Sequence, residues 1–229
     1  MSDRSNSIDV YLETGKKRTF ACAVAWPGWA RSGRDEATAL QALLDSAPRY
    51  ARVLHASDIA FNPPTNVATF TVVERLAGNA TTDFGAPDVA PSSDTQAVDE
   101  AELHRLQSLL KAYWQAFDSA VQAADGKELR KGPRGGGRAV EGIIRHVMGA
   151  EGGYLARLAW KLNKEKSADL SDELAQTRQA VLAALASAVH DGLPAQGPRG
   201  GAIWMPRYFV RRAAWHVLDH TWEIEDRTP

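Results

Sequence analysis

The apolar positions change period along this chain. Up to about residue 75 alternating or short β-branched stretches surround one helical run; beyond about residue 97 they recur every three to four residues throughout. Ile8–Glu13 and Arg18–Trp26 read as two strands, separated by Thr14, Gly15, Lys16 and Lys17, with Gly15 placed for a hairpin turn. Pro27 and Gly28 break the second strand, and Trp29–Ser32 reads as a short third one. A helix is expected from Ser32 or Gly33, with Asp35 and Glu36 in its first turn, where acidic groups suit the helix dipole. Ala39, Leu40, Leu43, Leu44 and Ala47 keep helical spacing, and Pro48 is expected to close the run. Val67–Val73 reads as one more strand. The order is β-β-(β)-α-β, an α+β layer with a helix on an antiparallel sheet. Leu76–Gln96 is rich in turn residues, with Gly78, Gly85, Pro87 and Pro91. The expected division is a domain at 1–80, a linker at 81–97 and a second domain at 98–229.

The second domain shows four helical periods. The first, Val98–Ala124, sets Leu103, Leu106, Leu110, Tyr113, Trp114, Phe117 and Val121 on one face. The second spans Ala139–Leu162. The third spans Ser171–His190, with Ser171 as N-cap and Gly192 and Pro194 as stops. The fourth starts at Pro206, a residue favoured in a first helical turn, and runs to Arg227. Four amphipathic helices of this length predict an all-α four-helix bundle.

Composition narrows the function classes. The 229 residues are 44% hydrophobic, enough for a sizeable core, and carry a net charge of −1. A pI near 6.6 argues against nucleic-acid binding driven by bulk charge. The single cysteine, Cys22, excludes an intramolecular disulfide framework and any CxxC metal or redox site. No stretch approaches the ~20 apolar residues of a membrane span, and no signal peptide is legible. A cytoplasmic protein with a small-molecule substrate, and with neither nucleic acid nor membrane as partner, is the expectation.

The candidate chemistry lies on the fourth helix. His216, His220 and Glu223 follow the spacing H-x-x-x-H-x-x-E, so all three share one face. Two imidazoles one turn apart can hold a divalent metal from one side. A third, His146, lies in the second helix about 10 Å from its start, and His216 and His220 lie about 10–17 Å from the end of theirs. The three reach one depth only if those two helices run antiparallel. That requires a crossover connection and an up-down-down-up order rather than simple alternation. Glu223 would orient a ligand, act as general base or bind the ion; alternatively it pairs with Arg227 one turn on. Gly149 and Gly153 continue the face of His146, leaving room beside an ion or permitting close helix packing. His55, His104 and His190 read as surface residues, Cys22 as sheet packing, and Trp204, Tyr208, Trp215 and Trp222 as core.

Two resemblances add to this reading. The stretch FACAVAWPGWARSGRDEATALQALLDSAPRY is similar to the HicB-type antitoxin fold over residues 7–75, which implies that fold and not toxin neutralisation, since no DNA-binding tail is visible. The stretches IIRHVMGAEGGYLARLAW and YFVRRAAWHVLDHTWEIEDR resemble the DinB/YfiT-like superfamily over residues 97–227, with one histidine on the second helix and H-x-x-x-H on the last. That resemblance implies a divalent metal, zinc or nickel foremost and iron or manganese also, held by His146, His216 and His220. It also implies a low-molecular-weight thiol as co-substrate in some members, and a homodimer formed through bundle helices.

The segment Gly-Pro-Arg-Gly-Gly occurs at 132–136 and 197–201, each time before a histidine-bearing helix. Backbone amides and an arginine there can receive an anion, so Arg134 or Arg138 is expected to meet a carboxylate of the thiol or substrate. Thiol-dependent transfer and hydrolysis are both compatible with three histidines and open coordination positions. The alternative is a non-catalytic metal-binding or regulatory module whose N-terminal layer contacts a partner.

Overall fold

Strands β1 (Ile8–Thr14) and β2 (Thr19–Ala23) form the hairpin and β3 (Ala30–Gly33) extends it, all antiparallel. This computed structural model describes residues 7–55, 57–132, 137–162, 169–197 and 200–229. Strand β4 (Phe70–Ala77) lies on the other side of β1, giving the order β3-β2-β1-β4, and pairs with β1 in parallel. The sheet is therefore mixed, not antiparallel. The cause is helix α1 (Glu36–Leu54), which carries the chain back along the sheet so that β4 starts from the same end as β3 and β1.

Helix α1 departs from its expected limits at both ends. Asp35 is not in the first turn but is the N-cap: its carboxylate accepts from Thr38 N at 2.8 Å, and Thr38 answers with its hydroxyl. Pro48 does not close the helix; it lies inside it. An interior proline costs about 3 kcal/mol. Beyond Pro48 the last turns bury Tyr50, Val53 and Leu54, each offsetting about 1.5–3 kcal/mol. Tyr50 stacks on Trp29 at 5.1 Å and its hydroxyl meets that of Tyr113 at 2.7 Å.

After the short helix α2 (Ala80–Phe84), four long helices follow among the described residues: α3 (Glu100–Ala123), α4 (Val140–Leu155), α5 (Leu170–His190) and α6 (Pro206–Arg227). Helix α4 ends earlier than its hydrophobic period, passing into a 3-10 turn at Ala156–Leu158 that closes on Ala159 in the left-handed region. Helix α5 is capped by Asp169, not Ser171, because the Asp169 carboxylate accepts from Ser171 N at 2.9 Å.

Contacts at the two ends of each pair fix the helix directions. Helices α3 and α5 oppose each other, with Arg178 on Asp118 and His190 on Glu100. Helices α4 and α6 also oppose each other: Arg227 Nη2 donates to Arg138 O at 2.9 Å, and Tyr154 packs on Trp204 at 5.2 Å. Arg207 reaches Glu102, so α6 starts where α3 starts. Helices α4 and α5 consequently point the same way.

One cluster of buried residues runs from Val10 and Leu12 through Leu43 of α1 to Leu106 and Phe117 of α3 and Phe209 and Val217 of α6. Gly28, with φ +95°, lets the Pro27–Gly28 turn press on α6; a Cβ there would sit 2.9 Å from Ala214 Cβ.

Within the 81–97 stretch, side chains and backbone are pinned to the sheet and to α6. The fully buried Glu13 carboxylate accepts from Thr82 Oγ1, Asp88 N and Val89 N at 2.5, 2.9 and 3.0 Å. Asp94, 1% exposed, receives Arg211 Nε and Nη2 at 2.8 and 2.7 Å, while the same guanidinium caps Ala23 O and Val24 O. Cys22 is buried in the sheet and its thiol is pushed up to about 12 by that burial. No helix among the described residues is long and apolar enough to cross a membrane.

Candidate metal centre

Helix α6 is buried along almost its whole length, with Arg211, Arg212 and Arg227 among its buried residues. Its face toward α4 carries His216 and His220 one turn apart. Because α4 runs the opposite way, His146 near its start meets this pair near the end of α6. The ring centroids form a triangle: His146–His216 5.0 Å, His146–His220 4.8 Å and His216–His220 4.6 Å. His216 Nε2 lies 3.2 Å from His146 Nε2, and one ligand nitrogen from each of the three rings lies within 4.8 Å of the other two.

These nitrogens suit a divalent ion. Bonds of ~2.0–2.1 Å in tetrahedral array put donor atoms about 3.3 Å apart. The His146–His216 edge already has that length. Two aprotic imidazole nitrogens facing each other repel unless a proton or a cation lies between them. His216 Nδ1 is buried with no partner in the structure, so nothing on the protein fixes that ring's tautomer.

Electrostatics favour the neutral form of His216 and His146. Burial, then the neighbouring His220 and His146, lower the His216 pKa to about 3. Burial first, then His220 and Arg138, lower that of His146. Neutral imidazole is the form that offers a lone pair.

Glu223 stands behind the triad. His220 Nδ1 donates to Glu223 Oε2 at 2.7 Å, which leaves His220 Nε2 as the free lone pair. Arg227 Nη1 donates to Glu223 Oε1 at 2.6 Å, and Arg227 in turn holds Arg130 O and Arg138 O. Glu223 thus contacts both His220 and Arg227 at once. Burial raises the Glu223 pKa, but the hydrogen bonds from His220 and Arg227 outweigh it and leave it lowered.

The surroundings are unevenly foreseen. Arg138 is exposed and its charge bears on His146 and His216; Arg134 lies outside the described residues. A Cβ at Gly149 or Gly153 would meet nothing within 4 Å, so these glycines border open space and do not serve close helix packing. Arg212 was not anticipated. It lies one turn before His216 on the same face of α6, the residue is 9% exposed, and its Nε has no partner. The legible signal was its i−4 spacing from His216. Glu151, 1% exposed, accepts from Trp114 Nε1 at 2.6 Å on another face of α4, and burial pushes its carboxyl up to about 7. His104 and His190 are exposed as expected.

A family model described as the DinB superfamily matches residues 109–224. The chain belongs to the DinB superfamily. That match spans α4 and α6 and includes all three histidines and Glu223. No curated protein matches the chain, and no solved structure does. The DinB superfamily often binds metal, and three imidazoles brought within 4.8 Å of one another are the donor set such binding needs.

Proposed function

We propose that this DinB-superfamily protein is a divalent-metal-dependent enzyme in which His146, His216 and His220 are the protein ligands. The observation that carries the reading is the convergence of three imidazole nitrogens within 4.8 Å, one from His146 on α4 and two from His216 and His220, 70 or more residues later, on α6. We read α3 to α6 as an up-down-down-up four-helix bundle and the N-terminal layer as HicB-like, two units packed on one shared core.

Each residue has a separable task. Burial holds His216 neutral, so its lone pair is available at neutral pH. Glu223 fixes the tautomer of His220, and Arg227 fixes Glu223. Arg138, exposed beside the cluster, draws an anionic group toward it. A divalent ion on three protein ligands supplies a Lewis acid with open positions, able to lower the pKa of a water or thiol. Transfer to or from a low-molecular-weight thiol, and hydrolysis, both use a nucleophile made in that way. Zinc or nickel suits an all-imidazole site best; iron and manganese are also compatible.

Elemental analysis of protein purified without a nickel column is the direct test. About one equivalent of metal is expected, falling to none in His216→Ala with the fold intact by circular dichroism. Equal metal in both proteins would sink the proposal. Turnover of an electrophile that needs both a thiol and His220 favours the enzyme; metal without turnover favours a metal-binding regulatory module.

A further inference from the structure

A row of side chains leads away from the triad along the α4–α6 seam. On α6 the i+4 series His220, His216, Arg212, Tyr208 shares one side of the helix. On α4 the answering series is His146, Gly149 and Gly153, followed by Arg157 in the 3-10 turn beyond it; Gly153 stands about 20° from His146 around the helix axis. Because the two helices are antiparallel, both series run from the triad toward the start of α6. Tyr154 joins their middles, 6.2 Å from His216 and 5.2 Å from Trp204, centroid to centroid. The far end is a cavity of about 600 Å³, whose lining includes Trp204, Met205, Tyr208 and Arg157. Arg157 lies 5.5 Å from the Trp204 ring, and Tyr208 packs on Trp204 at 5.1 Å.

Two features of this row bear on what it could hold. The glycines leave the α4 side bare, since a Cβ at 149 or 153 would touch nothing within 4 Å. An exposed helix interior otherwise favours alanine over glycine by about 1 kcal/mol. Arg212 is a guanidinium 9% exposed whose Nε donates to nothing. Its Nη1 donates to Pro87 O and its Nη2 lies 3.7 Å from Asp88 Oδ1. A buried N–H left unmade costs about 1–3 kcal/mol. The Arg212 guanidinium also bears on the Tyr154 hydroxyl, which lies beside it.

We infer that this seam is the substrate site of the proposed metalloenzyme, and that it takes a small organic carboxylate with an aromatic or apolar body. The carboxylate sits beside Arg212 and Tyr154, about one helical turn from His216. The body lies against Trp204 and Tyr208 in the cavity. A carboxylate supplies the acceptor that the Arg212 Nε lacks, as a charge-assisted hydrogen bond beside the existing contacts to Pro87 O and Asp88. The inference rests on the metal-centre reading only for what happens at the triad; recognition by Arg212 and Tyr154 stands apart from any ion.

The test therefore uses metal-free protein. Binding of 3-phenylpropionate, with 3-phenylpropanamide as neutral control, is followed by ligand-observed NMR on the chelated full chain and its variants. The acid is expected to bind at least about tenfold more tightly than the amide, the scale of one charge-assisted hydrogen bond. Gly153→Leu fills the seam from an exposed position without touching the core and is expected to abolish binding; Tyr154→Phe is expected to weaken it severalfold. Zinc uptake by Gly153→Leu should match wild type. Equal binding of acid and amide, undiminished binding in Gly153→Leu, or no acid binding at 10 mM would each overturn the inference. Binding seen only in zinc-loaded protein would also overturn it, placing the carboxylate on the ion instead. Loss of zinc binding in wild type with carboxylate binding retained would remove the metal reading and leave this one standing.

Discussion

Two buried polar clusters sit about α6, and they are built on opposite principles. Around Arg211 every part closes: the guanidinium grips both Asp94 oxygens and two carbonyls of the strand end. The nearby Glu13 carboxylate is equally saturated by Thr82, Asp88 and Val89. Five residues along the same helix, His216 Nε2 lies 3.2 Å from His146 Nε2, and its Nδ1 has no partner. The first cluster is finished by the protein; the second leaves a buried ring nitrogen without a protein partner. Buried polar groups are ordinarily satisfied; His216 Nδ1 is one of several buried side-chain atoms without a partner among the described residues, and it stands within the cluster of three imidazoles.

The contrast breaks most visibly at the Arg211 cluster. Asp94→Ala leaves a buried guanidinium without its partner, and such losses cost about 3–5 kcal/mol. Urea denaturation should show that drop, while zinc bound per folded molecule stays at the wild-type value. A matched loss of zinc and stability would mean that the two clusters are one structural unit.

Acid separates them next. An unfolded histidine titrates near 6.5 and folded His216 near 3. Between those values the unfolded chain binds a proton that the folded chain refuses, so stability falls as pH drops from about 6.5 toward 3 and carries no such penalty above 6.5. For the metal-free protein the decline should reach on the order of 3 kcal/mol and should be largely absent in His216→Ala. An acid limb unchanged by that substitution would show that other groups govern it.

Glu223 carries a smaller effect. Glu223→Gln keeps the shape but removes the charge that His220 Nδ1–H and Arg227 both engage. Supporting groups of this kind typically change metal affinity 10–100-fold. Competition against a chelating dye should register that loss, with circular dichroism unchanged; wild-type affinity would reduce Glu223 to an ion-pair partner of Arg227.

How much of this was readable from the residues follows the range of the cause. The triad was legible because His216 and His220 carry their shared face in their spacing, and because equal depth with His146 forces α4 and α6 to oppose. The limits of α6 were legible from Pro206 and from the end of its apolar run. Pro48 misled because the local rule that stops a helix at proline ignores Tyr50, whose stacking on Trp29 lies 21 residues away. The parallel pairing of β4 depended on where α1 delivers the chain, which no strand period encodes. The caps at Asp35 and Asp169 were misplaced by a few residues because several polar residues near each helix start can serve. Glu13, Asp94 and Arg211 were invisible: their partners are 69 to 188 residues apart, and a satisfied buried charge has no periodic signature. Arg212 was within reach, four residues before His216, but only its missing partner makes it informative, and that is a three-dimensional fact.

The smallest effect tests the open side of the seam. Gly149 lies in the interior of α4, exposed, on the flank of His146. Glycine there forgoes about 1 kcal/mol relative to alanine through backbone entropy in the unfolded chain. A Cβ added at this position meets nothing within 4 Å, so no clash offsets the gain. Gly149→Ala should therefore raise stability by about 0.5–1 kcal/mol with zinc binding unchanged. A gain in stability accompanied by slower metal uptake would place the route to the triad over Gly149, and a loss of stability would mean that another surface packs there.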